Sequence, residues 1–150
     1  MSSKKHDIRL IKASLADKAK AIELSYNLNK NEHIELNREE KITKAILKDE
    51  CFYIFANQMA VGFVLFDYRF FDQGWIELII VDKEYRGKGI AGSAFDLICG
   101  LCSTQKLFTS TNRSNTPMQR ALSKANFSFA GELIGLDDED PELFYYRMVE

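Results

Sequence analysis

A chain of 150 residues with 46% hydrophobic and 12% aromatic content can bury one substantial core, so a single domain over residues 1–150 is expected. A net charge of −2, from 20 basic and 22 acidic residues, argues against a nucleic-acid surface. No run approaches the roughly 18 apolar residues of a membrane span, and the polar start MSSKKH is unlike a secretion signal. A cytoplasmic protein with no membrane and no nucleic-acid partner is the expectation. The three cysteines, Cys51, Cys99 and Cys102, are an odd and sparse set that reads as free packing thiols. Cys99 and Cys102 form a C-x-x-C, but near the C-terminal end of a helix-period run, whereas redox pairs sit at a helix N-terminus. Zinc would need two further ligands, and His6 and His33 have no suggestive spacing, so no metal is expected.

In chain order, residues 7–12 alternate as a first strand. Ser14 with Asp17 resembles a capping box, opening a helix through Ala16, Ala19, Ile22, Leu24 and Leu28. A polar connection over residues 27–37 leads to Asn37 and Glu40, a second cap ahead of a helix with an Ile42, Ala45, Ile46 face. Residues 51–55 and 61–66 bracket a turn at Asn57-Gln58 and read as an antiparallel hairpin. Tyr68, Phe70 and Phe71 follow, either a hydrophobic edge or dimer patch or a wall of a binding pocket, and Asp72-Gln73-Gly74 is a turn signal. The run Ile76-Glu77-Leu78-Ile79-Ile80-Val81 reads as a strand buried on both faces, with one carboxylate inside it. A helix through Phe95, Leu97, Ile98 and Leu101 comes next, then a strand over residues 107–111. Thr116 can cap a helix whose first position is Pro117 and which stops near Asn126. Two more strands begin at Phe127 and at Glu142.

Between the central strand and its helix lies Arg86-Gly87-Lys88-Gly89-Ile90-Ala91-Gly92. Glycines let the main chain approach a ligand and adopt positive φ, and a helix start offers unpaired N–H donors at the positive end of its dipole. With Arg86 and Lys88 beside them, these residues read as a pyrophosphate site. A Walker loop is excluded because Gly89, not Ser or Thr, follows Lys88. The G-x-G-x-x-G of Gly87, Gly89 and Gly92 lacks the acidic residue that a dinucleotide fold places at the end of the next strand, here KLFTST. The remaining pattern is Arg-x-x-Gly-x-Gly/Ala, matched by Arg86, Gly89 and Ala91. In this motif the chain resembles the GCN5-related N-acetyltransferases. The element order β-α-α-β-β-β-α-β-α-β-β extends the resemblance over nearly the whole chain. So does the stretch from Asn112 to Phe127, where Asn115, Lys124 and Phe127 match an asparagine followed by Leu-Tyr-x-Lys-x-Gly-Phe.

The resemblance implies an α/β (α+β) fold, a mixed sheet of about seven strands flanked by about four helices. It implies an acetyl-CoA-dependent N-acetyltransferase acting on a primary amine of a small molecule or a peptide N-terminus, without a covalent enzyme intermediate. Residues 86–92 would hold the cofactor pyrophosphate. Asn112 and Asn115 would bind its pantetheine or phosphate end, or else close a turn against their own backbone. Leu122 stands where the family often has a tyrosine that protonates the departing thiolate. A thiol with an ordinary pKa near 8.5 leaves tolerably without that help, and Ser123, Tyr145 or Tyr146 could substitute. Backbone N–H groups at Ile79, Ile80 and Val81 could polarise the thioester carbonyl. Glu77 is the candidate base, since a carboxylate buried among apolar side chains accepts a proton more readily than one in water. Its alternative is a strand carboxylate facing solvent. The acidic run of residues 137–142 either steers a cationic amine or is a solvated loop. The wider pattern looks like a bacterial subgroup of the family, with the acceptor unspecified. A homodimer through edge strands suits the architecture but no residue specifies it. A non-catalytic acyl-CoA sensor is the rival reading.

Overall fold

Runs rich in β-branched and aromatic residues form seven strands of one mixed sheet in a computed structural model, which describes residues 7–26 and 38–149. They are β1 (Ile8–Lys12), β2 (Cys51–Ala56), β3 (Met59–Phe70), β4 (Gln73–Val81), β5 (Lys106–Asn112), β6 (Ser128–Leu133) and β7 (Glu142–Met148). Their spatial order is β1-β2-β3-β4-β5-β7-β6, and every pairing is antiparallel except that of β4 with β5. The helices are α1 (Lys18–Ser25), α2 (Arg38–Leu47), α3 (Ile90–Leu101) and α4 (Thr116–Lys124).

Each face of the sheet buries its own core. The apolar sides of α1 and α2, with Leu24, Ile42 and Ile46, cover Tyr53, Phe63, Leu65, Leu78 and Ile80. On the opposite face Phe95 and Ile98 of α3 and Leu122 of α4 cover Val64, Ile76, Leu107 and Leu143. The central strands are therefore apolar in both phases of their alternation, as the run at residues 76–81 predicts.

That run does not alternate evenly. Leu65 pairs with Leu78 and Phe66 with Ile76, which leaves Glu77 without a partner in β3. An extra residue reverses the facing of everything beyond it. Ile76 thus packs under α3, whereas Leu78 and Ile80 pack under α1 and α2. Just beyond, β3 and β4 approach closely at Gly62, where a Cβ would lie 2.2 Å from the Ile80 carbonyl oxygen.

Local chemistry sets the element ends, with some departures from expectation. Asp17 accepts from the Ser14 N–H at 3.0 Å, as in the expected box, and the chain makes a 3-10 turn (Leu15–Asp17) before α1 begins. The Tyr53 hydroxyl donates to the Asp17 carbonyl and accepts from the Ala21 N–H, fastening α1 to β2. The expected Leu28 end of this helix and the Asn37 cap of α2 lie outside the described residues. The β3–β4 turn is Phe71-Asp72, both with positive φ, not Asp72-Gln73-Gly74, because Gln73 and Gly74 already belong to β4. Gly74 serves packing instead, since a Cβ there would lie 2.4 Å from the Cys102 sulfur. Asn115, not Thr116, caps α4, accepting from the Met118 N–H at 3.3 Å, and Thr116 is the first helical residue. Asn126 takes the left-handed conformation past the helix end, with φ 68°.

Two outcomes follow from this packing. Gly62→Ala forces backbone apart and should cost about 1–3 kcal/mol, read as a lower urea midpoint. Cys51 is free and buried, and burial, with Asp17 adding, pushes its thiol up to about 12. It should resist iodoacetamide in the native protein at neutral pH and react fully once unfolded, as followed by mass.

Candidate functional site

Two strands that pair only in part make an opening. The ladder between β4 and β5 is confined to Gly74, Trp75 and Ile76 opposite Leu107, Phe108 and Thr109, and the Thr109 hydroxyl caps it by donating to the Ile76 carbonyl at 2.9 Å. Beyond that, β4 runs on to Val81 paired with β3, and β5 runs on to Asn112 paired with β7. The facing edges of residues 77–81 and 110–112 thus have no ladder between them. Ile79, Ile80 and Val81 all lie on this opened part of β4. Glu77, the bulged residue, stands at its mouth.

At the end of β4 the chain turns through a 3-10 segment (Lys83–Tyr85) into residues 86–92. Gly87 and Gly89 have φ of 77° and 78°, and α3 starts at Ile90 with Gly89 as its cap. The first helical bond across this start is Ser93 N–H to the Gly89 carbonyl. Among the described residues no hydrogen bond takes up the amides of Gly87, Lys88, Gly89, Ile90, Ala91 or Gly92. Nothing lies within 4 Å of where a Cβ would stand on Gly87, Gly89 or Gly92. These amides and the head of α3 form an open cradle for an anion, and they fit a pyrophosphate. Lys88 is exposed, with its ammonium 5.8 Å over the Tyr85 ring. Arg86 has a structural part as well: its Nε donates to the Val81 carbonyl at 2.9 Å, tying the loop to the end of β4.

Glu77 does not have the apolar surroundings expected of it. Its side chain is 27% exposed and ion-paired with Lys41 of α2. The two line a cavity of 190 Å³ together with Asp67 and Arg69 of β3. Arg69 forks onto Glu50 at 2.8 and 3.1 Å and reaches Asp67 at 3.3 Å. Asp67 is almost wholly buried, and burial pushes its carboxyl above the ordinary range. The Arg69 N–H and guanidinium oppose that, and the charges of Glu77 and Glu50 reinforce it. Beside this ionic cluster, Phe70 stacks on Trp75 at 4.5 Å and on Phe144 at 5.6 Å, with Phe108 tilted against it at 5.2 Å. Of the aromatic stretch noted in the sequence, Phe70 sits within this array and Phe71 meets the Phe70 ring edge-on at 5.0 Å. The Tyr68 hydroxyl accepts from the Ser103 N–H near the end of α3, and Phe71 is 82% exposed at its turn.

The asparagines are engaged within the protein. Asn115 caps α4. The amide nitrogen of buried Asn112 donates to Asp137 at 2.7 Å, Glu142 at 3.2 Å and the Asp140 carbonyl at 3.3 Å. Asp140 also accepts from the Ser114 amide and hydroxyl, and Glu142 from Ser110 at 2.6 Å. Much of the acidic run therefore buckles the β6–β7 connection onto the end of β5. Leu122 is fully buried in the core under α3 and α4. Of its suggested substitutes, Ser123 is exposed, Tyr146 faces Phe108, and Tyr145 is buried against Phe129, where burial pushes its hydroxyl up. Spacing in the sequence carried no signal for Lys41, Asp67, Arg69, Trp75, Phe108 or Phe144, which are drawn from separate elements.

The comparisons agree with this geometry. The acetyltransferase (GNAT) family model matches residues 18–127, so the chain belongs to that family. It is an N-acetyltransferase that uses acetyl-CoA, and residues 86–92 fit that cofactor. An acetyltransferase of the GNAT family from Bacillus cereus ATCC 10987 is 29% identical over 95% of this chain and 98% of its own, with a TM-score of 0.84. Ard1 from Thermoplasma volcanium superposes with a TM-score of 0.80 at 15% identity, over 95% of this chain and 98% of its own. A Bacillus anthracis str. Ames protein assigned as a streptothricin acetyltransferase, crystallised with acetyl coenzyme A, shares the fold over 67% of this chain and 62% of its own (TM-score 0.61, 18% identity). No curated protein matches the sequence. Among the described residues no helix is long and apolar enough to cross a membrane.

The raised Asp67 yields a signed expectation. The fold holds this proton more tightly than the unfolded chain does, so the ionised carboxylate lowers stability at neutral pH, and that loss fades as pH falls through the raised value. Denaturant melts should show Asp67→Asn losing ground against the wild type as pH drops from about 7 to about 4.

Proposed function

We propose that the protein acetylates the primary amine of a small molecule by direct attack, with Glu77 as the base. The observation that carries this reading is the position of Glu77, a carboxylate on the β4 bulge where β4 parts from β5. Bound acetyl-CoA supplies an acetyl group activated as a thioester. The amides of residues 87–92 hold its pyrophosphate, with Lys88 adding charge, and Arg86 keeps the loop against the end of β4. The opened edge supplies the main-chain N–H groups of Ile79 and Val81 as donors to the acyl oxygen, while the Ile80 amide between them points to β3. A primary amine with an ordinary pKa near 10 arrives as ammonium and must lose a proton before it can attack, and Glu77 accepts it. The Lys41 ammonium beside Glu77 marks a seat that suits a cationic nitrogen. The stacked rings of Phe70, Trp75 and Phe144 offer an apolar surface for the acceptor's body. Leu122 contributes no proton, so the sulfur departs as thiolate or takes a proton from solvent.

The test combines binding with turnover. Acetyl-CoA at about 100 times its dissociation constant should add roughly 2.7 kcal/mol of stability in a thermal shift, and NAD or ATP should not. Thiol release should then appear with some member of a panel of polyamines, amino sugars, streptothricin, amino acids and peptide N-termini. Glu77→Gln should lower kcat about 10²- to 10⁴-fold with the cofactor shift retained. Turnover unchanged in that variant would remove Glu77 from the role, and turnover of peptides alone would overturn the small-molecule acceptor.

A further inference from the structure

We propose that Lys41 is itself an acceptor: when no competing amine is present, its ε-amino group takes the acetyl group from the bound donor. The proposal rests on the reading of Glu77 and the opened β4 edge given above. Lys41 lies in the first turn of α2, and its Nζ meets the Glu77 carboxylate directly. A working base must stand within hydrogen-bond reach of the proton it removes, and Lys41 already presents a primary amine in that position. The pair sits at the bulge, where the β4 edge first comes free of β5. The Lys41 side chain is 44% exposed and borders the 190 Å³ cavity, so its four-carbon stem has room to swing. Lys44 and Lys48 border the same cavity, but the Lys44 ammonium is paired with Glu40 at 2.9 Å, one turn away along the helix.

The step balances. The Lys41 ammonium gives one proton to Glu77, the freed lone pair forms the bond from Nζ to the acyl carbon, and the carbon–sulfur bond breaks with its electron pair going to sulfur. The nitrogen then loses a second proton. One of the two protons ends on the coenzyme thiol and the other in solvent, leaving a neutral amide on Lys41. The ion pair with Glu77 is thereby removed, so an acetylated chain presents its base without an internal cation in front of it.

The experiment is peptide mapping by mass spectrometry of the full chain after incubation with acetyl-CoA and no amine. One acetyl group should appear per chain, on Lys41, with Lys44 and Lys48 at background. Glu77→Gln should slow labelling of Lys41 at least about a hundredfold, within the range of a positioned base, and leave the other lysines unchanged. Lys41→Arg should abolish the modification. Acetic anhydride, which needs neither base nor donor site, should show no preference for Lys41. Equal labelling of the three lysines, labelling of Lys41 that ignores Glu77→Gln, or the same preference with acetic anhydride would each overturn the proposal. An unmodified Lys41 in protein that shows the acetyl-CoA thermal shift and acetylates a free amine overturns it too, and leaves the proposed function standing. Absence of both the shift and turnover sinks the two together.

Discussion

The parting of β4 from β5 is the constraint on which the rest depends. A parallel pair that stays in register seals its backbone edges against each other. Here the register ends at Ile76, and the residue after it is the bulge. A closed ladder would take up the main-chain groups of residues 77–81, leaving none for a ligand. A straight strand would aim Leu78 and Ile80 into the same core as Ile76 and leave the core under α1 and α2 short of two side chains. The bulge thus performs two tasks, feeding both cores and turning Glu77 out at the opening.

Polar groups around the opening are held by other polar groups. Burying a charge without a partner is costly, and pairing it recovers much of that cost. Asp67, only 3% exposed, is met by the Arg69 backbone and guanidinium, and Arg69 is in turn forked onto Glu50. Glu77 is met by Lys41. On the far side Asn112 gathers Asp137, Glu142 and the Asp140 carbonyl, so an acidic loop that would repel itself is bound down at the end of β5. The amides of residues 87–92 are the contrast: a run of donors with no acceptor among the described residues. Unsatisfied donors at a helix start are tolerated where water or an anion can reach them, and residues 86–89 of this turn are exposed.

Much of this was legible in one dimension. Patterns that act over a few residues survive without a partner: the apolar run at 76–81, the glycine and charge spacing at 86–92, the Asn57-Gln58 hairpin and the Ile42, Ala45, Ile46 helix face. Positive φ at Gly87, Gly89 and Asn126 follows from the same local rules. Errors of one or two residues arose where two local solutions were nearly equal. Asn115 and Thr116 are both good caps, and the β3–β4 turn settled on Phe71-Asp72 because Gly74 is needed beside Cys102.

What the chain determined by itself, then, was its class, the glycine-rich turn of residues 86–92 ahead of α3 and the place of Glu77 in the central strand, because each is written in neighbours along the backbone. Tertiary structure alone decided that Glu77 is a bulged residue paired with Lys41 rather than a carboxyl enclosed by hydrocarbon. It also decided that Asn112 serves an acidic loop and that Phe70, Trp75, Phe108 and Phe144 form one surface. Those outcomes depend on strand register and on which helix lies over which face. Such contacts join residues tens of positions apart, and no local spacing encodes them.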